Sequence, residues 1–190
     1  MRPCLTEARI DGFSGGRTVV TIDRALFPCV VEGGVLRMTG PGWTNGVWLA
    51  KLFNGQTHEQ IPGAGDVEYG GEAEALSDGR FALLHDFSRY GRGMRPGDVV
   101  VLRPKLRPCP AIVVDGSRDV VLEDVVVHDA YGMALLAQRS ENVSWRGTKS
   151  AADATSGVFP RDGCYASTHA DASHFSNVKG QVTVDKQTSV

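Results

Sequence analysis

The stretch that decides the fold is residues 115–127, "DGSRDVVLEDVVV", because it matches residues 138–150, "QRSENVSWRGTKS", at an offset of 23 residues. At this offset Leu122 falls on Trp145, Ser117 on Ser140 and Val120 on Val143. Self-similarity at a fixed period is the signature of a repeat architecture. The two stretches therefore predict two successive copies of one structural unit.

A weaker third copy is residues 171–180, "DASHFSNVKG", which places Ser173 under Ser140 and Val178 under Trp145. The copies are short, rich in valine and free of any helical period, which is what one coil of a parallel β-solenoid requires. Each coil buries its inward side chains only by stacking on the next. The overlay predicts a shared core of Val120, Leu122, Val143, Trp145 and Val178.

The predicted fold class is all-β, a right-handed parallel β-helix with an inserted β-rich elaboration in the N-terminal half. Valine-rich runs broken by glycine pairs, such as residues 15–23 and 33–42, support strands throughout, and the chain has 23 glycines in 190 residues. Asp78-Gly79 predicts a hairpin turn. We expect residues 1–107 to form the β-rich N-terminal part with its insertion and residues 108–190 to form the coils, within one continuous domain.

Composition excludes several classes of partner. The chain has 20 Lys and Arg against 22 Asp and Glu, a formal net charge of -2, so no strong field attracts nucleic acid or an anionic membrane. No apolar run reaches membrane-spanning length, and the first residues lack the apolar core of a signal peptide. The four cysteines, which lack metal-ligand spacing, are compatible with two disulfides or four thiols: Cys4, Cys29, Cys109 and Cys164. We expect no cofactor.

The overlay also predicts a column of polar side chains. Asp115, Gln138 and Asp171 occupy one equivalent position in three coils, so neighbours should lie about 4.8 Å apart on one face. The two aspartates would then be separated by about 10 Å. Such residues could equally be turn residues that cap backbone groups. His169, Asp171 and His174 do not predict a metal site, because only residues two apart share a face of a strand.

Three segments together resemble a known family: residues 95–104, "RPGDVVVLRP", residues 107–147, and residues 167–180, "STHADASHFSNVKG". In this order they are similar to the middle of the catalytic domain of the α-1,3-galactosidases, glycoside hydrolase family 110. The resemblance covers most of the chain from Gly33 to Gly180. It implies a parallel β-helix enzyme that releases terminal α-1,3-linked galactose with inversion.

The resemblance implies that Asp171 is the general acid and that the partner is a galactose-terminated glycan. An inverting glycosidase needs a second carboxyl group about 6.5 to 9.5 Å away, with water between. The predicted substrate-binding residues are those of the column and those that flank the same turns: Asp115, Gln138, His128, Asp129 and His174.

The family's general-base candidates would follow on the next coil, beyond Val190, and its first coils and signal sequence would precede Met1. We therefore expect an internal fragment with weak or no activity alone, whose open final coil could pair with another copy. The resembled family is usually secreted, and the localisation of this chain stays open.

Two other functions stay open. The first is a non-catalytic β-helix module that binds galactose-terminated glycans or assembles through its open ends. The second is a polysaccharide lyase, which the near-neutral charge and the acidic column disfavour because a lyase needs cationic groups against a uronate.

Overall fold

The computed structural model describes residues 5–91, 93–104, 110–128, 130, 132–151, 173–185 and 188–189. The chain divides into two compact units, Met1–Leu106 and Arg107–Val190. Each unit is built from β-strands, and each is described below by itself.

The first unit is one nine-stranded sheet whose strands all pair antiparallel. The strand order is β3-β4-β5-β9-β1-β2-β8-β7, with β6 beside β5. A 3-10 helix, Phe87–Arg89, follows β8. The strands are β1 (Thr6–Ser14), β2 (Arg17–Thr21), β3 (Cys29–Glu32), β4 (Val35–Gly40), β5 (Trp43–Phe53), β6 (Val67–Glu68), β7 (Ala73–Ser77), β8 (Arg80–Leu83) and β9 (Val99–Pro104).

The two ends of this sheet meet, so it is a nearly closed barrel. The backbone N–H of Ala73 in β7 donates to the carbonyl of Gly34 at 2.9 Å, and Val35 of β4 forms an isolated bridge with Glu72. Closure removes the exposed edges that an open sheet would present. Side chains that point inward are fully buried: Val20, Leu36, Leu52, Leu83 and Leu102.

Glycine pairs make the tight hairpins of this unit. Gly15 and Gly16 join β1 to β2, and Gly33 and Gly34 join β3 to β4, with φ of 60°, 75°, 59° and 78°. Two successive residues with positive φ form the turn that matches the twist of a two-residue hairpin. The predicted hairpin turn at Asp78-Gly79 is confirmed, since β7 and β8 pair antiparallel across it.

The fold class predicted from the sequence, a right-handed parallel β-helix with an N-terminal elaboration, is wrong. The antiparallel, nearly closed sheet is the larger unit of the chain. Alternating valine-rich strands and glycine turns occur in both architectures, and the period of two does not reveal the direction of the neighbouring strand. The glycine pairs carried that information, because only antiparallel strands are joined by a two-residue turn.

In its described residues the second unit contains three parallel sheets of three strands each. The first parallel sheet is β10-β13-β16, the second is β11-β14-β17 and the third is β12-β15-β18. Their strands are β10 (Ile112–Asp115), β11 (Arg118–Glu123), β12 (Val126–His128), β13 (Leu135–Gln138), β14 (Glu141–Arg146), β15 (Lys149–Ala151), β16 (Ser173–Ser176), β17 (Lys179–Asp185) and β18 (Thr188–Ser189).

The register between the first two copies agrees with the 23-residue overlay, whereas the third copy was aligned wrongly. Leu122 pairs with Trp145, but Trp145 pairs with Val184 instead of Val178. The register shifts between Glu141 and Val143, and Gly180 has a φ of 67°, which marks a bulge of one residue. The sequence comparison had matched this bulge glycine to a turn glycine.

The core of the second unit is centred on Trp145 and Val143, which are 1% and 0% exposed. Val120, Leu122 and Val178 are partly buried and pack against this cluster, so the predicted core residues do lie together. The Trp145 Nε1 and Thr148 Oγ1 atoms are buried without a hydrogen-bond partner among the described residues. The indole thus contributes to this core through its apolar surface.

Two features of the first unit bear on its chemistry. Cys29 is a free, buried thiol, and burial raises its pKa to about 11, which keeps it protonated and unreactive. His85 accepts or donates a 2.9 Å hydrogen bond between its Nε2 and the Tyr90 hydroxyl. Its backbone carbonyl accepts from the Thr18 hydroxyl at 2.7 Å. The same hydroxyl accepts from the Phe87 N–H at 3.1 Å, which ties the 3-10 helix to β2.

Replacing Leu135 with alanine should lower the free energy of unfolding by about 2 to 5 kcal/mol, because the fully buried side chain leaves a cavity. Val121→Ala is the matched control, since Val121 is 56% exposed and its truncation should cost less than about 0.5 kcal/mol. Urea titration followed by circular dichroism measures both. Equal losses in the two variants would contradict the assignment of the core.

Acidification should weaken the first unit through His85, because burial lowers the pKa of this imidazole while Asp86 opposes the shift. The unfolded chain then binds the proton first, so stability present at pH 7.5 is lost as the pH falls through the ordinary histidine pKa of about 6.5. The melting temperature should therefore drop between pH 7.5 and 5.5, and by less in His85→Gln. His58→Gln, which removes an exposed histidine of the same unit, is the control.

Candidate functional site

The outer surface of the first parallel sheet carries two rows of side chains, one mostly apolar and one polar. Val114, Leu135 and Ala137 are buried in the core, so the residues that alternate with them face outward. Register places Val113, Leu136 and His174 in one row, and Asp115, Gln138 and Ser176 in the next. We call these six residues the outer face.

The outer face unites three of the residues predicted from the sequence: Asp115, Gln138 and His174. Adjacent strands are separated by about 4.8 Å, so Asp115 and Gln138 are direct neighbours. The third position of the column is held by Ser176, and its assignment to Asp171 is corrected by the pairing of β13 with β16. His128 ends β12 in the third parallel sheet and lies outside this face. Asp129 and Asp171 lie outside the described residues.

Asp115 is held in place by its own surroundings. Its carboxylate accepts a hydrogen bond from the Arg139 guanidinium, and its backbone carbonyl accepts from the Ser117 hydroxyl at 3.0 Å. About a third of the Asp115 side chain, 35%, stays exposed. A carboxylate has several lone pairs, so Asp115 can accept further hydrogen bonds from a ligand while it is paired with Arg139.

Beside the outer face lies a cleft at the turns that connect the first and second parallel sheets. We call it the corner cleft; its volume is about 620 Å³, and it is lined by Gly116, Ser117, Arg118, Arg139, Ser140, Glu141, Asn177 and Lys179. The first residue of each turn has a left-handed backbone conformation: φ is 57° at Gly116, 50° at Arg139 and 52° at Asn177. The cleft starts one residue after the row of Asp115, Gln138 and Ser176.

Ser140 fixes the geometry of these turns from inside. It is only 4% exposed, and its hydroxyl donates to the backbone carbonyl of Gln138 at 2.8 Å. The same oxygen accepts from the backbone N–H of Ser117 at 3.1 Å. One buried hydroxyl thus links two successive turns, and it holds Gln138 and Asp115 at the same height on the outer face.

Charged side chains line the mouth of the corner cleft. Arg118 pairs with Glu141 at 2.8 Å across the second parallel sheet, and Lys179 follows in the same register. The sequence analysis missed Arg118, Arg139, Glu141 and Lys179. The overlay could have pointed to Arg139, because it aligns this arginine with Gly116. A glycine at the equivalent position suggests a left-handed backbone, which arginine rarely adopts.

Two features are absent from the residues that the structure describes. Within them, no group of three or more His, Cys, Asp and Glu side chains is arranged to hold a metal ion. In the same part of the chain, no helix has the length and apolarity to cross a membrane.

Comparison with protein families identifies the first unit. Residues 7–100 match the family model described as GLAA-B beta-barrel domain I. This description agrees with the nearly closed antiparallel sheet, and it contradicts a parallel β-helix as the fold of the chain.

Comparison with individual proteins extends over both units. The chain is 34% identical over 187 residues to alpha-1,3-galactosidase B of Akkermansia muciniphila, an alignment covering 97% of this chain and 22% of the relative. It is 29% identical over 184 residues to alpha-1,3-galactosidase B of Phocaeicola vulgatus, covering 92% of this chain and 28% of the relative. It is 24% identical over 187 residues to alpha-1,3-galactosidase A of Bacteroides fragilis, covering 97% of this chain and 29% of the relative.

The chain is thus homologous to proteins named alpha-1,3-galactosidase, which confirms the resemblance found in the sequence at this level. It spans less than a third of the length of these three relatives.

Replacing Ser140 with alanine should lower the free energy of unfolding by about 1 to 3 kcal/mol, because it removes the acceptor of the Ser117 N–H inside the corner. Ser117→Ala is the matched control, since its hydroxyl donates to an exposed carbonyl and its loss should cost less than about 1 kcal/mol. Hydrogen exchange at the Ser117 amide checks the mechanism. Unchanged protection of that amide in Ser140→Ala would contradict it.

Proposed function

We propose that this chain recognises glycans ending in galactose and serves in their hydrolysis, as an exo-α-1,3-galactosidase of the glycoside hydrolase type. The observation that carries the proposal is the 34% identity to alpha-1,3-galactosidase B over 187 residues, because this alignment includes both the barrel and the parallel sheets. Chance similarity of two common β architectures would not extend through both units in one alignment.

The outer face offers the chemistry that binds a sugar. Gln138 supplies an amide that both donates and accepts, Asp115 supplies a carboxylate that accepts, and His174 adds an imidazole. Hydroxyl groups of a pyranose need such mixed partners at fixed spacing, and a sheet surface provides them on a rigid support. The galactose of the substrate is proposed to lie on Asp115, Gln138 and His174.

The proposed general acid is Asp171, which precedes β16 in the chain and matches the aspartate implied by the family resemblance. In an inverting reaction it would protonate the glycosidic oxygen as the bond to galactose breaks, while a second carboxylate takes the proton of the attacking water. This role is assigned to Asp171 from its place in the segment "HADASHF".

A second function is favoured by one observation. Asp115 is the one carboxylate of the outer face as defined by its six described residues, and it is engaged with Arg139 instead of facing another carboxyl group. A surface with one paired carboxylate suits recognition better than hydrolysis. The alternative is therefore a module that binds galactose-terminated glycans without cleaving them.

Incubating the chain with galactose-α-1,3-galactose, and following the released galactose and its anomer by NMR, tests the proposal. Asp171→Asn should lower the rate of hydrolysis about 10²- to 10⁴-fold through loss of acid catalysis, with little change in binding. Asp185→Asn, which changes an exposed aspartate of β17, is the matched control and should keep the full rate.

The outcomes separate the two functions. Slow turnover that Asp171→Asn abolishes would support the hydrolase, whereas binding of the disaccharide with no turnover is expected both of the non-catalytic module and of an enzyme piece without its general base. Full turnover in Asp171→Asn would contradict the assignment of the acid, and absence of binding to any galactoside would contradict both functions.

A further inference from the structure

The corner cleft has an excess of positive charge. Its lining includes Arg118, Arg139 and Lys179 against one carboxylate, that of Glu141. The Asp115 carboxylate, beside the lining, pairs with Arg139, so one positive charge is left over. This local excess stands out because the whole chain has a formal net charge of -2. The cleft is therefore electrostatically distinct from the average surface of the protein.

Arg139 occupies a backbone position that arginine does not favour. Its φ is 50°, while the equivalent residues of the neighbouring turns are Gly116 and Asn177, two residue types that adopt this region readily. Left-handed residues of other types concentrate at functional sites, where the surroundings hold them in place. A Cβ at Gly116 would meet nothing within 4 Å, so the space beside Arg139 is open to a ligand.

Several backbone donors of the corner are already used within the fold, which favours binding by the side chains. The N–H of Gly116 donates to Gln138 and that of Arg139 donates to Ser176, both at 3.2 Å. The N–H of Lys179 donates to Ser140 at 2.9 Å. An anion in the cleft would therefore be recognised by guanidinium and ammonium groups.

These cations are available for such a ligand. The Arg139 and Arg118 side chains are 65% and 71% exposed although each has an ion-pair partner. Ion pairs at this exposure contribute little because solvent screens them. A guanidinium fork can bind a carboxylate or sulfate with two parallel hydrogen bonds, so an incoming anion can replace or share the existing partners.

We propose that the corner cleft is a subsite for an anionic substituent, a sulfate or carboxylate carried by the glycan on the outer face. The proposal rests on the proposed function, since it takes the neutral part of the ligand to be galactose. Continuity supports it: Gly116, Arg139 and Asn177 directly follow the row of Asp115, Gln138 and Ser176.

The test titrates the ¹⁵N-labelled 190-residue chain by NMR with galactose, galactose 6-sulfate and galacturonic acid, three probes that differ only at one carbon. At low salt the anionic sugars should bind about tenfold more tightly than galactose. Comparing galactose 6-sulfate with galacturonic acid shows whether sulfate or carboxylate is preferred. The largest shifts are expected at the amides of residues 139–141.

Arg139→Asn should reduce the affinity for both anionic sugars to that for galactose. Asparagine tolerates the left-handed backbone, so this variant should keep or raise the melting temperature and lose only the charge. Arg146→Gln is the matched control: it removes an arginine at the other end of the same strand, β14, and should retain the preference. Arg118→Gln should weaken the preference partially.

Three results would overturn the proposal: equal binding of all three sugars, a preference that survives in Arg139→Asn, or inorganic sulfate that binds as tightly as galactose 6-sulfate. Tight binding of the anionic sugars that Arg139→Asn abolishes, with no detectable binding of galactose, would support the cleft and contradict the galactose face. Binding of galactose with no preference for the anionic sugars would support the galactose face and contradict the cleft.

Discussion

The second unit depends on one constraint, which is that every turn between its first two sheets must lead the chain from one sheet to the next at the same height as the turns beside it. Parallel strands pair evenly only if successive copies stay in register, and a corner of two residues leaves no slack. The left-handed residue that starts each turn meets this requirement, at Gly116, Arg139 and Asn177. Its N–H then points to the next turn, as from Gly116 to Gln138. The outer face and the corner cleft exist because this stacking repeats.

Part of this arrangement could be predicted from the sequence, and the limits have physical causes. The 23-residue offset gave the pairing of Leu122 with Trp145, because inward apolar residues must coincide when strands stack in parallel. It failed for the third copy because β13 and β16 pair at an offset of 38 residues, Gln138 with Ser176, whereas the overlay matched Ser140 with Ser173 at an offset of 33. The bulge at Gly180 then adds one further residue. The barrel was missed because strand direction depends on turn geometry, which the glycine pairs encode and the strand composition does not.

The candidate site, like the fold, could be predicted from the sequence only in part. Asp115 and Gln138 were found as neighbours because both belong to the copies that align without a gap, and His174 was added as a residue flanking the same turns. Ser176 was missed because the third copy was aligned in the wrong register. The role of Arg139 depends on its backbone dihedral, which shows in a sequence only when an arginine is compared with a glycine at the equivalent position.

The burial of Trp145 makes its intrinsic fluorescence a reporter of the second unit. Trp145 is 1% exposed and sits in an apolar core, whereas Trp48 of the first unit is 43% exposed and Trp43 is half-buried. An indole without water emits at shorter wavelength and is hard for a dissolved quencher to reach. The tryptophans of this chain therefore form two spectroscopic populations, one for each unit, and loosening of either unit can be followed without attaching a dye.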